Sequence, residues 1–139
     1  MMRVYVAGPL TGAKNKGKFD FEMMCAAVKN AIDTSSALIS RGYAVYCPHL
    51  SLYFNLMHMH SWEEWLTQDE AWISVCDVVL RLPGESGGAD REEAFAIARG
   101  IPVVYNVEEL HALRKSREAQ AAGPSTGEAS SPTGQPGGP

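Results

Sequence analysis

No apolar run in the sequence approaches the roughly 20 residues that a membrane-spanning helix needs. The amino terminus carries no charged leader followed by an apolar stretch and a cleavage site, so we expect a cytoplasmic protein without a membrane partner. Cysteine is scarce, and Cys25, Cys47 and Cys76 form an odd set without the spacing of a metal or redox motif. We therefore expect buried free thiols that contribute packing alone.

Positive charge is also scarce. The chain has a net charge of −4, and its one small cluster of lysines is Lys14, Lys16 and Lys18. A protein that binds duplex nucleic acid gains affinity by neutralising phosphates with a basic face. The composition therefore argues against a nucleic acid polymer as partner, whereas a small anionic ligand stays compatible with it.

Large apolar residues are missing from the carboxyl end. From Ser116 onward the chain holds almost nothing but Ala, Gly, Ser, Pro, Thr, Gln and Glu. Such a segment cannot bury enough apolar surface to offset the entropy lost on ordering it. We predict one folded domain over residues 1–118 and a disordered tail, rich in Gly, Pro and Ser, over residues 119–139.

Within the domain, short apolar runs alternate with amphipathic segments. This alternation is typical of a parallel sheet covered by crossover helices. We predict strands at 3–7, 43–47, 77–82 and 101–105, and helices at 19–41, 62–75, about 90–99 and 107–117. The expected fold is an α/β, Rossmann-like (flavodoxin-like) parallel sheet of four to five strands with helices on both faces. Ligands bind outside the carboxyl ends of such strands, so the loops after Ala7, Cys47 and Leu82 are the expected site.

The loop after the first strand is rich in glycine and lysine. Residues 12–19 nearly match the phosphate-binding pattern G-x-x-x-x-G-K-[ST], but Phe19 stands where a hydroxyl must bind magnesium. A nucleotide triphosphatase is therefore disfavoured against a flexible loop with solvated lysines.

The loop after the third strand contains the pattern of a nucleophile elbow, G-x-S-x-G, at residues 84–88. Glu108, Glu109 and His111 follow Ser86 in the order of a serine hydrolase triad. A domain of this size offers little scaffold for the acid and base loops of such an enzyme. A serine hydrolase that uses Ser86 is kept as an alternative.

Two carboxylates from different helices can converge near the same strand ends, as glycosyl transfer needs. Glu92 follows the glycine loop, where a first-turn carboxylate commonly does no more than stabilise its helix by ~0.5 kcal/mol. Asp69 lies on the helix that leads into the third strand, and by itself it is typical of a solvated residue. Asp77, which opens that strand, is expected to be structural and bonded to backbone donors.

The segment 48–62 is rich in aromatic, methionine and histidine residues where a loop would be polar. His58 and His60 could share a strand face, but no third ligand has a suitable spacing, so we expect no metal. A lid or subunit contact that stacks on a planar ligand is the better use of such side chains. The tryptophans at helical spacing are expected in the core or an interface: Trp62, Trp65 and Trp72.

Three groups of residues together resemble the nucleoside 2-deoxyribosyltransferase superfamily. They are Y-V-A-G-P at 5–9, the pair Asp69 and Asp77, and S-G-G-A-D-R-E at 86–92 followed by Ala96. The similarity spans about residues 4–104 and is closest to the small members from phages and bacteria. The superfamily includes the 2'-deoxynucleoside 5'-phosphate N-hydrolases.

The resemblance implies that Glu92 is a nucleophile that attacks the anomeric carbon of the sugar and forms a glycosyl-enzyme ester. Asp69 would bind the nucleobase and assist its protonation, and the Tyr5 hydroxyl would position the nucleophile. It also implies a homodimer or larger assembly whose neighbouring subunit completes the site, and no metal or organic cofactor. The expected substrate contacts are Gly8, Pro9, Leu10, Thr11, His49, Ser86, Gly88 and Ala89.

Ser86 stands where transferases of free nucleosides often carry Asp and the nucleotide hydrolases carry Ser. A hydroxyl tolerates a phosphate that a carboxylate would repel, so Ser86 favours a 5'-monophosphate. Those hydrolases contact the phosphate with a Ser and an Arg, and Pro9 and Thr11 stand at these two positions here. This chain therefore lacks one charged contact to the phosphate. A lysine of the first loop could replace it. We expect cleavage or base exchange at the N-glycosidic bond of a (deoxy)nucleoside or its 5'-monophosphate. A serine hydrolase and a non-catalytic nucleotide-binding module remain the alternatives.

Overall fold

The structure is a computed structural model that describes residues 1–10, 14–15 and 18–124. Its first elements are β1 (Arg3–Ala7), β2 (Lys14–Asn15), β3 (Lys18–Phe19), α1 (Phe21–Ser40), β4 (Ala44–Tyr46), the 3₁₀ turn η1 (Pro48–Leu50) and α2 (Ser51–Met57). They are followed by α3 (Trp62–Ile73), β5 (Val78–Arg81), α4 (Gly87–Ala98), β6 (Val103–Val104) and α5 (Val107–Ala121).

In the described part of the chain, four strands form one parallel sheet in the order β4-β1-β5-β6. Tyr5 of β1 lies opposite Tyr46 of β4 on one side and Val79 of β5 on the other. Because the chain leaves β1 for one edge of the sheet and then returns to pair β5 on the opposite side, the strand order reverses between β1 and β5. Such a reversal opens a crevice at the carboxyl ends of the two strands, where open α/β sheets bind ligands.

Helices cover both faces of the sheet, which confirms the predicted Rossmann-like fold. Successive residues of a strand point to opposite faces, so each central strand contributes to two cores. One core joins the sheet to α1 and α5 through Val4, Val6, Ala31, Leu38, Val78, Leu80 and Leu110. The other joins it to α3 and α4 through Tyr5, Ala7, Ile73, Val79, Ala89 and Ala96.

Several element ends differ from the prediction. The helix α4 begins at Gly87, not near residue 90, and α5 continues to Ala121, past the predicted domain end at residue 118. The turn η1 and the helix α2 form where a loop was predicted. The start of α3 agrees, because Ser61 and Glu64 make the expected capping box.

The prediction of buried cysteines is wrong for Cys25, which is exposed, while Cys47 and Cys76 are half-buried and all three are free. Cys25 is exposed because α1 turns another face, with Ala31 and Leu38, toward the sheet. Asp77 is structural as expected, since its carboxylate accepts the backbone N–H of Arg3 at 2.7 Å and pairs with its guanidinium at 2.9 Å. None of the helices within the described ranges is both long and apolar enough to cross a bilayer.

Candidate functional site

A cavity of about 490 Å³ opens at the carboxyl ends of β1 and β5. Its walls come from the loop after β1, from η1, α2 and α3, and from the amino-terminal half of α4. Most of the residues predicted for the site line it: Gly8, Leu10, His49, Asp69, Ser86, Gly88, Ala89 and Glu92. Tyr5 and Pro9 support the wall from behind, and Thr11 lies outside the described residues.

Glu92 is a buried carboxyl in the second turn of α4, with 7% of its surface exposed. The Tyr5 hydroxyl, which β1 holds in the core, donates a hydrogen bond to Glu92 Oε1 at 3.0 Å. Because α4 begins five residues earlier, at Gly87, Glu92 lies beyond the first turn and does not cap the helix. Its side chain lies between the sheet and the cavity.

Burial and a neighbouring carboxyl make Glu92 hold its proton tightly. Burial, followed by the charge of nearby Asp69 on α3, raises the pKa of Glu92 to about 8, against the opposing effects of the Tyr5 hydroxyl and Arg81. Burial also raises the pKa of Asp69. Burial and the two carboxyls together raise the pKa of Tyr5 well above its usual range. Near neutral pH the carboxyl pair therefore retains one proton, which leaves one acid and one carboxylate in the same cavity.

The loop from β5 to α4 depends on two kinds of glycine. Gly84 has a φ of +118°, and a Cβ there would lie 2.8 Å from Pro9 Cγ, so only glycine fits. Gly87 has no heavy atom within 4 Å of an added Cβ, and Gly88 has only Ser86 Oγ at 4.0 Å. The fold does not need glycine at these two positions, and their missing side chains leave room in the cavity wall.

Ser86 is the N-cap of α4, since its Oγ accepts the Ala89 N–H at 3.1 Å. The residues of the serine hydrolase alternative do not come together as a catalytic triad. His111 lies on the opposite face of the sheet, where its two ring nitrogens lie 2.6 Å from Tyr43 Oη and 2.6 Å from Arg41 Nη1. Ser86 has an ordinary extended backbone, and the recorded hydrogen-bond partner of its hydroxyl is the Ala89 N–H rather than a histidine.

His49 joins the loop after β1 to η1. Its Nε2–H donates to the Pro9 carbonyl at 3.0 Å, and because a carbonyl can only accept, Nδ1 is left to face the Cys47 thiol at 3.7 Å. Burial lowers the pKa of His49, so the ring is neutral. His49 therefore lines the cavity as an uncharged side chain and holds the loop after β1 in place.

Several residues that line the cavity were not predicted individually as substrate contacts. The additional lining residues on η1, α2, α3 and the turn before α3 are Pro48, Ser51, Leu52, Asn55, His60, Trp62, Trp65 and Leu66, with Gly87 from α4. Asn55 and Trp65 link α2 to α3, because Trp65 Nε1–H donates to Asn55 Oδ1 at 2.9 Å. The aromatic composition of segment 48–62 indicated a ligand cover. Which side chains face the ligand could not be read without the helix α2.

An aromatic groove of about 790 Å³ adjoins the cavity and shares Ser51, His60 and Trp65 with it. Its floor includes Tyr46, which stacks on Tyr5 with centroids 5.6 Å apart and on Trp72 with centroids 4.8 Å apart. Stacked aromatic rings therefore connect the Tyr5–Glu92 pair to the surface of α3.

No three His, Cys, Asp or Glu side chains of residues 1–10 and 18–124 converge in a way that could hold a metal ion.

Comparison with known proteins identifies a family but no characterised relative. No curated protein and no solved structure matches the chain. A family model described as a domain of unknown function, DUF4406, matches residues 2–105. This range includes all four strands of the parallel sheet and every described residue that lines the cavity. The chain therefore belongs to the DUF4406 family.

Proposed function

We propose that the protein cleaves or exchanges the N-glycosidic bond of a nucleoside or its 5'-monophosphate. The observation that carries this proposal is the group of buried Glu92, buried Tyr5 and half-buried Asp69 at the mouth of the crevice between β1 and β5. A carboxyl pair that retains one proton in such surroundings lowers the stability of a protein, so its presence in a cavity favours a chemical role. The sequence resemblance to nucleoside 2-deoxyribosyltransferases supports the same residues.

The proposed first step breaks the bond between the sugar and the base. The Glu92 carboxylate attacks the anomeric carbon, and the electron pair of the glycosidic bond passes to the base nitrogen. Before this attack, the one proton of the carboxyl pair passes from Glu92 to Asp69, and the Tyr5 hydroxyl stabilises the resulting Glu92 carboxylate through its hydrogen bond. Asp69 then gives this proton to the departing base. The products of this step are a free base and a glycosyl ester on Glu92.

The proposed second step restores the enzyme. Water or a second base attacks the anomeric carbon, the ester bond breaks, and Glu92 regains its carboxylate. The ionised Asp69 accepts the proton that the attacking group loses. Attack by water gives hydrolysis, and attack by a base gives transfer, so one site supports either outcome.

The amino terminus of α4 favours a substrate that carries a 5'-phosphate. The helix presents backbone N–H groups and the positive end of its dipole to the cavity, and anions bind well at such ends. Gly87 and Gly88 leave space there that the fold does not require. Ser86, rather than a carboxylate, stands at the start of the helix, so no negative charge repels a phosphate at that position.

The proposal includes a second copy of the chain as partner. Apolar side chains on α2 and beside it are more than half exposed: Leu50, Tyr53, Phe54, Leu56, Met57 and Met59. A contiguous apolar patch of this kind marks an interaction surface. Because α2 also lines the cavity, a copy that covers the patch would lie at the edge of the site.

The test is release of free base from a panel of common nucleosides and their 5'-monophosphates, with and without a second base, followed by chromatography. We expect the wild-type protein to release base, and Glu92→Gln to lower the rate on the order of 10³-fold or more. Glu108→Gln is the matched control, since it removes an exposed carboxylate on the other face of the sheet. Release by Glu92→Gln at the wild-type rate, or no release from any substrate by the wild type, would overturn the proposal.

A further inference from the structure

Arg81 is the last residue of β5 and is 8% exposed. Among the described side chains it is the one lysine or arginine that is buried. It lies on the same face of the sheet as Val79 and beside Ala7 of β1. A positive charge in this position loses its hydration, so the contacts that replace water define its role.

The Arg81 guanidinium ties the β5–α4 loop together. Its Nη1 donates to the carbonyl of Leu82, and its Nη2 donates to the carbonyl of Gly84 and to Asp90 Oδ1, both at 2.9 Å. These acceptors lie at the end of the strand, in the loop and in the first turn of α4. One side chain therefore spans the segment that places Ser86 and Glu92 at the cavity.

Two carboxylates pair with the Arg81 guanidinium, but only Asp90 does so through a hydrogen bond. The Arg81 Nε has no hydrogen-bond acceptor, and Glu93 Oε2 lies 3.7 Å from it. Asp90 is 68% exposed at its side chain, so water screens its pull on the buried guanidinium. Of the groups that face Glu92, Asp69 on α3 disfavours its charged form, whereas Tyr5 on β1 and Arg81 on β5 favour it.

We propose that Arg81 is a positioning residue for Glu92: it fixes the loop through which α4 is placed, and it keeps one buried positive charge on the sheet face that Glu92 contacts through Tyr5. The inference rests on the proposed function only where it concerns reaction rate. The geometry of the loop and the ionisation of Glu92 can be measured on the protein without substrate.

The test compares the full-length wild type with Arg81→Met, which removes the charge and the contacts, and Arg81→Lys, which keeps the charge. Hydrogen exchange of the amides at 83–90 reports on the loop, and ¹³C NMR titration of the Glu92 carboxyl carbon reports on its ionisation. We expect exchange about tenfold faster in both variants. We expect the pKa of Glu92 to rise by about one unit in Arg81→Met and to stay near the wild-type value in Arg81→Lys. Arg99→Met, which removes an exposed charge from the end of the same helix, should change neither.

Unchanged exchange in both variants together with an unchanged titration of Glu92 would overturn the inference. Circular dichroism shows whether Arg81→Met folds. If it does not fold, Arg81→Lys alone tests the inference, and unchanged amide exchange in Arg81→Lys would contradict it. A wild type that releases no base removes the proposed function but leaves both measurements valid. If the wild type is active, we expect Arg81→Met to lower kcat through Glu92 and to raise KM for a 5'-monophosphate through the loop that carries Ser86.

Discussion

Glu92 holds a proton that the unfolded chain loses, and this difference makes stability depend on pH. The pKa of Glu92 is about 8 in the folded protein, against an ordinary value of 4.5. Between these two values the folded state binds more protons than the unfolded state, so the free energy of unfolding falls as pH rises. The fall is at most about 1.4 kcal/mol for each pH unit.

We therefore predict that Glu92→Gln stabilises the protein, and that its advantage over the wild type grows from pH 5 to pH 8. Glutamine has no proton to lose and fits the same space. Urea denaturation at each pH measures the effect, with Glu108→Gln as a control that should show no such growth because its carboxylate is exposed. A difference that stays flat across this range would mean that Glu92 titrates normally.

Chemistry at single residues was predictable to different degrees. Glu92, Asp69 and Tyr5 were identified because reactive residue types near strand ends point to a site, and the resemblance gave them roles. The structure brings them together, but their roles stay predictions. Arg81 was missed, because a lone arginine at the end of an apolar strand carries no motif. Its importance comes from carbonyl groups that only the folded loop presents to it.

In the loop from β5 into α4, replacing glycine by alanine is expected to have opposite effects on stability at two positions, Gly84 and Gly87. We predict that Gly84→Ala destabilises the protein by about 1–3 kcal/mol, because its φ is +118° and the new Cβ would meet Pro9. Gly87→Ala should leave stability unchanged or raise it by up to about 1 kcal/mol, since alanine favours a helix and nothing lies close to its Cβ. Chemical denaturation of the two variants checks this.

The same pair of variants probes the cavity. A methyl group at Gly87 enters the cavity wall, so we expect KM for a 5'-monophosphate to rise in Gly87→Ala although the protein stays folded. Equal losses of stability in both variants would contradict the view that only Gly84 is required by the backbone.

The ends of helices were predictable where capping residues in the sequence mark them clearly. The capping box at Ser61 fixed the start of α3. The start of α4 was placed too late, because Gly87 and Gly88 are weak helix formers and Ser86 supplies the cap. The helix α2 was missed because it begins without a side-chain cap, directly after the turn η1, and draws its support from contacts with α3.

At the scale of the whole molecule, the apolar patch on α2 sets the expected assembly. We predict that the wild type is a dimer and that Met57→Glu gives monomers, because a charge in the interface would lose its hydration. Analytical ultracentrifugation measures the mass. Ile39→Glu, at an exposed apolar position on α1, is the control and should stay dimeric. A monomeric wild type, or a dimeric Met57→Glu, would show that no second copy covers α2.

The topology was predictable because apolar strands that alternate with amphipathic helices permit few arrangements other than a parallel sheet with crossovers. The position of the cavity followed from it. The shape of the cavity did not, since its outer wall is built by side chains of α2 and α3 that pack through contacts distant from the motifs.

All three tryptophans of the chain border this region: Trp62 and Trp65 line the cavity, and Trp65 and Trp72 line the aromatic groove. The protein thus carries its own optical probes where ligands would bind. Quenching or a spectral shift of intrinsic fluorescence can follow ligand titration and rapid mixing without any label, and no tryptophan elsewhere contributes background emission.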